Sequence, residues 1–246
     1  MNSNILLESF VTSVLSAINL VPGIKAVKRA RRYRFAIDVA LVACAVRTAY
    51  LVDAIVLSQD AAMVLLNILY ERFHARRTRL PSFVLVPASG LPRLLEQPPT
   101  SVIDALDWFN TEIVSRQPVH THAALSFTLA ELDLAPDVLV PLAAILLDYP
   151  VAYVPESSDT HAFLADVPLD VYACSISGPA SLCCPEARHV FLQFSCPAQV
   201  GLAHSETLSP RAITAVLRRT FEARLPGDSA DMDVHWSVRT LDRVAL

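Results

Sequence analysis

The sequence predicts an α+β domain with a mixed central sheet flanked by helices and largely antiparallel C-terminal strands. Three observations carry this. The chain is 53% hydrophobic and 18% charged, enough apolar material to bury a sizeable core in 246 residues. Apolar residues recur at helical spacing in several segments, and short β-rich runs lie between them. In the last third the strands are separated by turn residues, and short connections favour antiparallel pairing. The alternative is a three-layer α/β arrangement, because strand and helix alternate through the middle of the chain.

Residues 5–20 predict an apolar helix closed by Pro22 and Gly23. Residues 35–46 carry no breaker and predict a second. Residues 48–57 predict a buried strand through Tyr50, Val52, Ile55 and Val56. Ser58 then caps a helix with Val64, Leu65, Ile68, Leu69 and Phe73 on one face. Residues 82–87 predict a strand, and Gly90 with Pro92 a turn. A helix opens at Thr100 with Val102, Leu106, Phe109 and Ile113 inward, and 119–129 alternates as a strand. Pro136 suits a first helical turn, but Pro141 argues for a kink or a delayed start. Segments 150–155, 168–176 and 189–195 predict consecutive antiparallel strands. Ser209 and Pro210 open an amphipathic helix through Arg224, stopped by Gly227, and 233–240 predicts a last strand. Residues 1–47 form an N-terminal helical segment with a basic run, and 48–246 one mixed α and β domain.

Several function classes are excluded by what the chain lacks. Its five glycines are dispersed, so neither a GxGxxG turn nor a GxxxxGK[ST] cradle exists. Lys25 and Lys28 are the only lysines, which leaves two candidates for any Schiff-base role. The net charge of −4 gives no drive toward nucleic acid or an anionic membrane. The exception is the run holding Lys25, Lys28, Arg29, Arg31, Arg32 and Arg34, which is an import or RNA-contact patch or, more simply, a solvated helix end. The two tryptophans do not interleave with basic residues, so no clear nucleic-acid signature arises. The five cysteines show neither CxxC spacing nor an even count, and read as thiols in a reducing, intracellular compartment, cytoplasmic or nuclear. The most apolar stretch, 35–57, is interrupted by Asp38, Arg47 and Asp53, each costly at a bilayer centre, so no membrane span is expected. No cofactor is implied.

Three residues carry weak catalytic or metal candidacy. His120 and His122 share a strand face and could meet one metal, although no third ligand stands at a telling spacing. Exposed strand histidines are the simpler reading. Asp53 sits near the end of a predicted buried strand, a common catalytic position in open sheets, yet no DxD follows. A turn cap is the simpler role there. Cys196 ends a strand whose other end holds His189, too far along it to pair.

The phrases YLVDA (50–54), SGLPRLLEQ (89–97), LAELDLAPDVLVPLAAILLDYPVAYV (129–154), HVFLQFSCP (189–197) and the final VAL together resemble the uncharacterised eukaryotic family carrying domain of unknown function 4504. The resemblance runs from about residue 48 onward and is strongest at LLDYPVAYV. There the family pattern has glycine where this chain has Asp148, which argues against a tight turn. The resemblance implies no activity, substrate or cofactor. The expected function is therefore a non-enzymatic interaction or scaffold protein with a protein partner or a second copy of itself. The alternative is a metal-assisted hydrolase or transferase using Asp53, His120 and His122. A mean hydropathy of +0.42 fits a partner surface.

Overall fold

The structure, a computed structural model, describes residues 3–20, 27–50, 80–116, 134–156, 163–177, 188–225 and 231–242. In chain order the elements are α1 (Ser3–Leu20), α2 (Arg29–Ala43), β1 (Ser82–Val86), β2 (Arg93–Leu94), α3 (Thr100–Arg116), α4 (Pro136–Leu146), β3 (Val151–Pro155), β4 (Pro168–Ser177), β5 (Arg188–Pro197), α5 (Ala198–Ala203), α6 (Ser205–Leu208), α7 (Pro210–Glu222) and β6 (Met232–Thr240). The class is α+β. Of the sequence expectations, residues 48–50 are not strand, and 51–57, the helix after Ser58 and the strand at 119–129 lie outside the described residues.

The strands form two three-stranded sheets. One has the order β2-β1-β3 and is mixed: β1 runs antiparallel to β2 and parallel to β3. The other has the order β5-β4-β6 and is antiparallel throughout. So 151–155 does not join the C-terminal antiparallel set. It pairs in register with β1 from Ser82↔Val151 to Val86↔Pro155. The connection explains this: α3 and α4 lie between the two strands, and a parallel pair needs a long crossover of that kind.

Two helices differ from expectation at their ends. α2 begins at Arg29, six residues before the apolar run, because arginine is a good helix former with no apolar period to betray it. α4 begins at Pro136 and runs straight through Pro141, which is buried. The carbonyl that would have bonded to residue 141 belongs to Asp137, in the first turn.

Two of the described helices stop without glycine, while Pro22, Gly23 and Gly227, expected to close other helices, lie outside the described residues. After α4, Asp148 takes φ +63°. Its N–H donates to Ile145 at 3.1 Å, and that of Tyr149 to Ala144 at 2.9 Å. This is a complete Schellman motif, with Asp148 where glycine is usual. The tight turn expected to be lost is therefore kept. After α2, Ala45 does the same at φ +55°, with Ala45 N–H to Val42 at 2.9 Å and Val46 N–H to Leu41 at 2.9 Å.

The main core joins α1, α2, the antiparallel sheet and α7. Val14, Ile18, Phe35, Leu41, Tyr172 and Leu217 are all under 3% exposed within it. α7 is capped by Ser209, whose Oγ accepts from Ala212 N–H at 3.4 Å, and buries Ile213, Leu217 and Phe221 four residues apart. An aromatic stack ties the two sheets. Tyr149, just before β3, lies 6.0 Å from Phe194, which lies 5.0 Å from Tyr172.

Candidate functional site

The most buried polar cluster joins three elements. α2 is buried from Phe35 to Leu41, so Asp38 on it is largely removed from water. The Schellman turn at Ala45 folds the following chain back, and the Arg47 N–H donates to the Leu41 carbonyl at 3.2 Å. That return places Arg47 beside Asp38. His189 enters from the start of β5.

Asp38 Oδ1 lies 3.0 Å from His189 Nε2 and 3.5 Å from an Arg47 terminal nitrogen, with all three side chains 4–6% exposed. Asp38 Oδ1 and His189 Nε2 share one buried hydrogen bond. Burial pulls the Arg47 guanidinium down from its ordinary value, and the Asp38 charge pushes it back up. The guanidinium also sits 5.7 Å from the Tyr50 ring centre. Its Nε is buried and has no hydrogen-bond partner.

The cluster opens on a cavity of about 440 Å³, whose wall includes Arg34, Asp38, Arg47, Tyr50, Tyr149 and Gln193. A second cavity, of about 280 Å³, shares Tyr149 in its wall. It holds the ion pair of Arg224 with Asp148, side chains 13% and 9% exposed. Arg224 donates as well to the Val46 carbonyl at 3.2 Å.

The residues singled out from the sequence fare differently. Asp53, His120, His122 and Lys25 lie outside the described residues. The rest of the basic run forms the entry and first turns of α2. Lys28, Arg29, Arg31 and Arg34 are exposed, and Arg32 donates to Asn19 Oδ1 of α1 at 3.1 Å. Among the described residues no group of three or more His, Cys, Asp and Glu could hold a metal ion. His189 and Cys196 stand at opposite ends of β5, as expected. Burial pushes the Cys174 and Cys196 thiols up to about 12 and Cys44 up to about 11, the reverse of a nucleophile's shift. No family model, curated protein or solved structure matches the chain. Among the described residues no helix is long and apolar enough to cross a membrane.

Sequence reasoning treated Asp38 and Arg47 only as obstacles to a membrane span, and His189 only as too distant from Cys196. A signal was present. Within 35–49 these are the only charged residues, opposite in sign, on an otherwise apolar run. Buried charges of that kind need partners.

Proposed function

We propose that this chain is a soluble, non-enzymatic interaction protein of the cytoplasm or nucleus, and that its partner is a second copy of itself. Its membership of the family carrying domain of unknown function 4504 belongs to the same reading. One observation carries it: the outer half of β6. β6 is an edge of its sheet among the described residues. Met232 and Val234 are buried, but from His235 to Thr240 every residue except half-buried Ser237 is exposed. Trp236 is 44% and Val238 55% exposed. An open edge bearing large apolar side chains is a template for another strand unless it is covered.

The sequence of β6 fits its own reverse. Antiparallel pairing centred on Trp236 sets Val234 opposite Val238 and Trp236 opposite its copy. On the other face it sets Asp233 opposite Arg239. The result is a six-stranded sheet running across the dimer axis. Supporting the non-enzymatic half of the reading, the described cysteines are held neutral by burial, and Asp38, Arg47 and His189 are tied to one another.

Sedimentation equilibrium of the full chain tests this. A dimer is expected at micromolar concentration. Val238→Lys should shift it to monomer, and so should Arg239→Asp, which sets two acidic residues opposite each other. Adding Asp233→Arg to Arg239→Asp should restore the dimer. A wild-type chain that sediments as a monomer, or a dimer indifferent to these changes, overturns the reading.

A further inference from the structure

We infer that the two copies also meet through α7, packed antiparallel against its counterpart over the shared face of the six-stranded sheet. The inference rests on the pairing of β6 and adds its second element. Pairing of β6 alone is small. Its bare half is six residues, His235 to Thr240, whereas a standard interface engages about 20–30 residues a side. The rest has to come from surface beside that edge.

α7 supplies it. The helix packs on β6 and on β4, through Ile213, Leu217 and Phe221, over the face that buries Val234 in the main core. Trp236 and Val238 leave β6 on that same face. A second stripe on α7, made of Arg211, Ala215, Arg218 and Glu222, recurs at helical spacing on another side of the helix. Arg211, Ala215 and Glu222 are exposed. Arg218 donates to Asp233 of β6 at 3.1 Å, so the stripe is turned toward the edge strand.

This stripe fits its own reverse, as β6 does. Antiparallel packing sets Arg211 against the partner's Glu222 and Ala215 against the partner's Arg218. Within one chain Arg211 and Glu222 stand eleven residues apart, roughly 16 Å along the helix and too far to pair. The level along the sheet agrees. Leu208, just before α7, lies beside Gly201 and Asp170, and Asp170 is the register partner of Val238. Arg218 reaches Asp233. The midpoint of the stripe therefore falls near Trp236, the midpoint of β6. The spacing agrees as well. α7 lies between β6 and β4, about one strand spacing from the dimer axis, so the two helices run about 10 Å apart. Helices pack at about 8–10 Å, and the small Ala215 permits that approach. Trp236 and Val238 of both copies form the apolar floor, and the Arg211–Glu222 pairs form the charged rim. The Trp236 indole N–H already donates to Asp170 Oδ1 at 2.9 Å, so little of its freedom is lost on association.

Sedimentation equilibrium of the full chain at low ionic strength tests the inference. Arg211→Glu and Glu222→Arg should each weaken the dimer about tenfold, because symmetry counts every broken pair twice. Both changes suit the helix dipole and leave α7 itself intact. Combining them restores the pair with its charges exchanged, and should return the affinity to within about threefold of wild type. Ala215→Lys sets a cation against the partner's Arg218 and should weaken the dimer at least about tenfold. All three positions are exposed, so the fold is kept. A dimer broken by Val238→Lys but indifferent to the α7 changes, or a double variant no tighter than either single one, overturns this inference and leaves the pairing of β6 standing. A wild-type chain that sediments as a monomer overturns both.

Discussion

Replacing Asp148 by glycine sets two effects of opposite sign against each other. At φ +63° a non-glycine residue is strained, and glycine would relieve about 1 kcal/mol. The same change removes the carboxylate that pairs with Arg224, and both side chains are largely buried. Breaking a buried pair by deleting one partner costs about 3–5 kcal/mol. Here the low end applies, because Arg224 keeps the Val46 carbonyl and stacks over Phe221, with its charge centre 5.3 Å from the ring. The pair therefore wins, and Asp148→Gly should destabilise by about 2 kcal/mol. For a chain of this size that lowers the midpoint by roughly 4–8 °C. Urea unfolding of Asp148→Gly, Arg224→Met and the double variant measures it, with a coupling energy of at least about 1 kcal/mol expected between the two sites. A glycine variant as stable as wild type would mean that the turn, not the ion pair, governs this position.

Four further outcomes are expected. Tyr172 is fully buried, and its hydroxyl has no hydrogen-bond partner. Tyr172→Phe keeps the stack on Phe194 and should stabilise by about 1–2 kcal/mol in the same unfolding assay. Cys174 and Cys196 should resist alkylation at pH 8 in peptide mapping until the protein unfolds. Their raised folded values mean that the unfolded thiols, near 9.0, ionise first, so their contribution is full below about pH 9 and lost by about pH 12. Gly201→Ala should destabilise by about 1–3 kcal/mol in urea unfolding, because its new Cβ would lie 2.9 Å from the Leu208 carbonyl oxygen and 3.2 Å from Asp170 Oδ2. Metal analysis of the purified chain beside His120→Ala/His122→Ala should show no stoichiometric metal in either; metal lost only in the variant would establish the enzyme alternative.

Much of the fold was legible because its signals are local. Ser209, Pro210 and the four-residue spacing of Ile213, Leu217 and Phe221 define α7 without reference to anything distant. Alternation and turn residues located β4, β5 and β6 within a residue or two. What failed depended on partners far along the chain. Nothing within Val151–Pro155 distinguishes a strand bound for β1, some seventy residues back, from one bound for β4. The aspartate at position 148, where the resembled family has glycine, misled in a related way. A left-handed residue at 148 is tolerated because Arg224, 76 residues on, holds its side chain.

The buried cluster shows the same limit from the other side. Asp38, Arg47 and His189 belong to a helix, a turn and a strand, and His189 is 151 residues from the carboxylate it meets. No motif spans such a gap. What local sequence does supply is the anomaly of two charges on an apolar run, and the physics of burial limits what can follow. Either the run stays wet, or each charge is met. α2 is enclosed from Phe35 to Leu41, so the charges had to be met, and a third polar residue from a distant element was required. His189 fills that requirement for Asp38, whereas Arg47 is left with its Nε unpaired.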